Sequence, residues 1–157
     1  MKALKAILVG GLIAGALDIT YACVVYGLKF DLPPSRIFQS VAAGWIGRDA
    51  ARAGGLPTVL LGAVSHFSIA ILMAAAYVIV SRWLPILLKR PLIMGALYGV
   101  LLFAIMNYIV VPYSARHGEP PTQIDEAFLI ALFPHVALVG PAIALAARRF
   151  LEPQAAA

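Results

Sequence analysis

Four apolar stretches, each about 20 residues or longer, are separated by short segments rich in proline, glycine and charge. An α-helix rises about 1.5 Å per residue, so about 20 apolar residues carry it across the hydrocarbon of a bilayer. Only 12% of the 157 residues are charged, against about 25% in a soluble domain. Water is therefore not the solvent for most of this surface. The chain reads as an all-α integral membrane protein: a single domain, 1–157, folded as an antiparallel four-transmembrane-helix bundle.

The stops place the helices at about 4–28, 56–80, 92–111 and 123–150. Asp31-Leu32-Pro33-Pro34 ends the first, because proline lacks the N–H a helix interior needs and restricts the residue before it. Ser35 is an expected N-cap for a short amphipathic helix over about 35–47, with Ile37, Phe38, Val41 and Trp45 at helical spacing and Trp45 at headgroup level. The run from Gly47 to Gly55 is too polar and glycine-rich for hydrocarbon. The connection Lys89-Arg90-Pro91 is short, so the second and third membrane helices are expected to be antiparallel neighbours. Thr122 and Asp125 approximate a capping box before the fourth. Pro134 and Pro141 should free the carbonyls of Ile130 and Ala137 and bend that helix. Residues 151–157 read as a frayed tail.

Lys2 and Lys5 before an apolar run also suit a signal peptide. The run from Ala6 to Leu28 is long for an h-region of about 7 to 15 residues, and Thr20-Tyr21-Ala22 is a poor lipoprotein signal before Cys23, so the expectation is a retained helix. The single cysteine permits neither an intramolecular disulfide nor a thiolate cluster.

The net charge of +5 does not point to nucleic acid, because the basic residues sit at the ends of the apolar runs, where lipid attracts them. Lys2, Lys5, Arg82, Lys89, Arg90, Arg148 and Arg149 share one side with Glu152 as the only acid. On the other side Lys29, Arg36, Arg48, Arg52 and Arg116 are balanced by Asp31, Asp49, Glu119, Asp125 and Glu126. The positive-inside rule then places both termini in the cytoplasm and the amphipathic helix outside. Gly11 with Gly15, and Gly95 with Gly99, are small-xxx-small pairs that permit close helix approach, within the bundle or in a homodimer.

Each membrane helix carries a strongly polar residue in the middle or outer half of the membrane: Asp18, His66, Asn107 and His135. Such residues are costly in hydrocarbon and mark functional positions by default. Asp18 shares a helix face with Gly11, Gly15 and Ala22, so it should point inward. Together the four suggest a polar pocket open to the outside, with Tyr21 and Tyr108 supplying hydroxyls and Arg36, Arg48 and Arg52 meeting an anionic headgroup. The pocket would bind or transport a small amphipathic or anionic molecule, with proton coupling through Asp18 and a histidine. Two alternatives stay open. The polar groups can serve only to tie the helices together in a structural or accessory protein. They can also hold haem between two histidines, or a divalent metal, although no two share a helix at a metal-site spacing. No catalytic motif is present, and no cofactor is identified.

The segments Gly62-Ala63-Val64-Ser65-His66-Phe67-Ser68-Ile69-Ala70 and Ala75-Ala76-Tyr77-Val78, with the early Gly11-Leu12-Ile13-Ala14-Gly15, resemble the uncharacterised bacterial YagU-like inner-membrane family. The likeness covers about the first two thirds of the chain. It implies an inner-membrane location and His66 as a family-like position; it implies no activity.

Overall fold

Small residues line the inside of this bundle and large apolar ones its outside, the reverse of a water-soluble core. The computed structural model describes residues 1–152, so the expected tail from 153 onward lies outside the described residues. Those residues form seven helices: α1 (Lys2–Phe30), α2 (Pro34–Ile46), α3 (Arg48–Ala53), α4 (Gly55–Val80), α5 (Ile86–Lys89), α6 (Pro91–Tyr113) and α7 (Glu126–Leu151). Four of them, α1, α4, α6 and α7, are long and apolar enough to cross a membrane. Leu12, Leu17, Leu60, Leu72, Leu97 and Leu101 are exposed on them, whereas Ala6, Ala14, Ala74, Ala144 and Ala147 are buried. In lipid, close backbone contact replaces the hydrophobic drive, and small residues provide it.

The close approaches define the topology. A Cβ on Gly11 would lie 2.6 Å from Ile71 Cα, and one on Gly15 would meet Phe67 and Ala70, which sets α1 antiparallel to α4. Gly95 faces Gly140 and Pro141, and Gly99 faces His135 and Val136, which sets α6 antiparallel to α7. Both glycine pairs are therefore filled within the chain, the first of the two uses expected for them. Gly10 against Ala146, with the Tyr21–Phe133 ring contact (centroids 5.5 Å apart), places α1 along α7.

The expected pairing of α4 with α6 is only partly realised. Helix α4 packs mainly on α1 and α2, and α6 mainly on α7. Between α4 and α6 the contact rests on Tyr98, whose hydroxyl donates to Met73 O (2.8 Å) and whose ring packs edge-on against Tyr77 (centroids 5.0 Å). The bundle is thus tight at the end carrying the termini, where Ala6, Tyr77, Val78, Ile143 and Ala147 form its core. It is wider at the end carrying α2 and α3.

Local chemistry moves several expected boundaries. Asp31 ends α1 in the left-handed conformation (φ 52°), its N–H returning to Gly27 O. Proline starts α2, with Pro33 rather than Ser35 as its cap. Within the polar run expected to stay out of hydrocarbon, Arg48–Ala53 is helical; Gly47 (φ 82°) supplies the turn that a residue with a side chain resists. Asp125, not Thr122, caps α7, accepting the Phe128 N–H at 2.8 Å. Lys29 at the end of α1 pairs with Glu126 at the start of α7.

Helices α6 and α7 each contain a π-helical turn, at Met106–Val110 and His135–Val139. Val111 N–H bonds Met106 O, and Gly140 N–H bonds His135 O. A proline, Pro112 or Pro141, stands two residues past the end of each. Proline removes one donor from the ladder, and the wider turn absorbs the shift in register. The wider turn in α7 lies between the two expected bend positions, Pro134 and Pro141, and α6 has the same feature before Pro112.

Candidate functional site

Where the helices part, a cavity of about 240 Å³ lies among α1, α4, α6 and α7. Asp18, Tyr21, His66, Asn107 and His135 all line it, together with Tyr26 and apolar residues such as Ile69, Met73 and Pro134. The four polar residues expected from the four membrane helices thus meet at one place. Tyr108 does not join them: it is 45% exposed, and its hydroxyl donates to Pro121 O (3.0 Å) in the α6–α7 connection. Its side chain is on the exposed face of α6, outside the cavity lining.

The polar residues differ in how they are satisfied. His66 Nε2 lies 2.8 Å from Gly15 O, across the α1–α4 seam. A carbonyl only accepts, so the proton is on Nε2, and a neutral ring keeps Nδ1 as an acceptor. His135 Nδ1 donates in the same way to Ala131 O (2.9 Å), and Asn107 Nδ2 donates to Phe103 O (3.0 Å), each one turn back on its own helix. Asp18 is half-buried and has neither an ion pair nor a hydrogen-bond partner among the described residues.

A second cavity, of about 640 Å³, lies above the first and beneath α2 and α3. Asp18, Ala22, Tyr26, Val41 and His66 line both. The upper wall carries Arg36, Arg48 and Arg52, the expected headgroup contacts, together with Arg116 from the α6–α7 connection. That connection is docked on α2 by the Ala115 N–H to Gly44 O bond (2.9 Å). Arg36 Nη1 donates to Gln39 Oε1 (3.1 Å) and to Arg52 O (3.2 Å), which joins α2 to α3.

Helix α2 is fixed to α4. Its Phe38 carbonyl lies against Gly62, where any Cβ would collide. Buried Gln39 donates through Nε2 to Thr58 Oγ1 (3.2 Å), and Trp45 Nε1 donates to Ser65 Oγ (2.9 Å). Thr58 also donates to Ala51 O (2.7 Å), which ties α3 to the same helix. Among the described residues every fully buried side-chain polar atom has a partner.

Tyr26, Gln39 and Arg116 are the residues that sequence reasoning missed. Tyr26 lies four residues past Ala22, so extending the Gly11–Gly15–Ala22 face by one turn would have found it. Gln39 follows Arg36 by three on a helix. Arg116 sits in a loop, where spacing carries no signal. The divalent-metal alternative lacks a ligand set, since among the described residues no three His, Cys, Asp or Glu side chains come together to hold an ion. Comparison with family models, curated proteins and solved structures finds no match to this chain.

Proposed function

We propose that this is a multi-pass bacterial inner-membrane protein, with both termini cytoplasmic, whose buried polar residues act first to fix the packing of its helices. The supporting observation is the satisfaction of those residues: Gln39–Thr58 and Trp45–Ser65 join α2 to α4, and His66 joins α4 to α1. Such bonds between membrane helices contribute around 0.6 to 1.7 kcal/mol each. The inner-membrane location also follows from the YagU-like resemblance, and the orientation from the basic residues at the terminal end.

A second reading, a binding or transport site for a small amphipathic or anionic molecule, is favoured by one specific observation. Asp18 lines both cavities without a protein partner, below four arginines. Packing accounts for His66, Asn107 and His135; it does not account for Asp18. The two readings separate in the variants Asp18→Asn, His66→Ala and His135→Ala, assayed for unfolding and for binding of an amphiphile. Loss of stability in all three with no change in binding leaves the packing role alone. Loss of binding by Asp18→Asn at unchanged stability establishes the site.

A further inference from the structure

Four guanidinium groups line the upper cavity, and the only carboxylate in its wall, Asp18, lies at the floor it shares with the lower one. Arg48 and Arg52 are one turn apart on a single face of α3, Arg36 reaches across from α2, and Arg116 comes from the docked connection. Among the described residues none of the four is in an ion pair; the two pairs present are Lys29–Glu126 and Arg148–Glu152. Arg116 is half-buried, and burial together with the neighbouring Arg48 pushes its pKa below the ordinary guanidinium value. Arg36, Arg48 and Arg52 are exposed on that wall; the like charges repel one another, and among the described residues Asp18 at the floor is the only anion lining the cavity.

We propose that this cavity binds the phosphate group of a single-chain amphiphile, with Arg48, Arg52 and Arg116 on the phosphate oxygens, Arg36 supporting Arg52, and the tail in the lower cavity. The proposal rests on the binding reading above. Guanidinium forks match phosphate bidentately, and a phosphate presents enough oxygens for several of them at once. Below the head, the Asp18 carboxylate and the free Nδ1 of His66 both accept hydrogen bonds, so they suit a hydroxyl or amine next to the phosphate. The lower cavity of about 240 Å³ has the bulk of about eight waters at ~30 Å³ each. It takes one short alkyl chain or the end of a longer one, and is too small for the paired acyl chains of a phospholipid.

The test uses the full chain in phosphatidylcholine nanodiscs, with octyl phosphate, octanol and inorganic phosphate as probes in equilibrium binding. Octyl phosphate binds the wild type, and Arg48→Gln/Arg116→Gln weakens it by about tenfold or more, as expected for hydrogen bonds between charged groups. Arg52→Gln alone weakens it by less, and circular dichroism checks that each variant is folded. Octyl phosphate binding that is unchanged in the folded double variant overturns the arginine site. Octanol binding as tightly as octyl phosphate removes the phosphate preference while the binding reading survives. Inorganic phosphate binding equally well makes the source a free ion and overturns the amphiphile. If no probe binds, the proposal and the binding reading fail together.

Discussion

Replacing Gly99 by alanine tests one of the closest helix contacts in the structure. A Cβ at this position would overlap the His135 carbonyl oxygen and lie 2.9 Å from Val136 Cα. Both are backbone atoms, so no side-chain rotamer relieves the clash and α6 must move away from α7. Overpacking of this kind costs typically 1–3 kcal/mol, and a rigid partner places it near the upper end, about 3. Alanine regains about 1 kcal/mol of helix propensity over glycine, leaving a net loss of about 2 kcal/mol. Gly27→Ala is the matched control, because its Cβ would meet only Leu32 O at 3.6 Å, an ordinary contact. It should be neutral or slightly stabilising. The assay is reversible unfolding in mixed dodecyl sulfate and maltoside micelles, followed by circular dichroism. A Gly99→Ala protein as stable as the Gly27→Ala protein would refute the backbone-to-backbone packing of α6 on α7.

Two further predictions concern α2 and the orientation. A double-mutant cycle of Trp45→Phe and Ser65→Ala should give a coupling of about 0.5–1.5 kcal/mol in the same unfolding assay; no coupling would mean that the indole does not pin α2 to α4. In a Cys23→Ser background, Arg48→Cys should react with an impermeant maleimide on intact cells, and Lys89→Cys only after lysis. Equal labelling of both sites would overturn the proposed orientation.

The membrane helices were legible because their physics is a matter of length and composition, and these sum along the chain. All four expected spans coincide with observed helices to within a few residues. What was not legible depends on contacts remote in sequence. The neighbours of α4 and α6 are chosen by where glycines permit backbones to touch, such as Gly11 on Ile71 and Gly99 on His135, and the shortness of the α4–α6 connection does not decide it. The apolar spacing of α2 suggested a helix lying at an interface. Its burial of Gln39 against Thr58, and its seat on Gly62, show it to be part of the bundle. Tyr108 was expected at the pocket from its closeness in sequence to Asn107, and consecutive residues on a helix point about 100° apart. Asp18, His66, Asn107 and His135 line one cavity; counting along each helix gives their depth, because the rise per residue is constant, but not which way they face.

The cavity follows from a change of side-chain size along the bundle. Near the termini, Gly10, Gly11, Gly15, Gly95 and Gly140 bring the backbones together; toward α2 and α3, Asp18, Tyr21 and Tyr26 replace them on α1, and π turns widen α6 and α7. Three of the polar groups there find carbonyls, His66 doing so because Gly15 has no side chain to cover its own. Asp18 finds nothing, and an unpaired acidic side chain inside a membrane is costly. The two readings therefore predict opposite stabilities for Asp18→Leu. If Asp18 belongs to the packing network, the change lowers stability by about the 0.6 to 1.7 kcal/mol of a membrane hydrogen bond. If it is held for a ligand, removing an uncompensated polar group leaves the apo protein as stable or more so, as apolar replacements of buried charge commonly do. A destabilised Asp18→Leu protein would place Asp18 in the packing network with the other three polar residues.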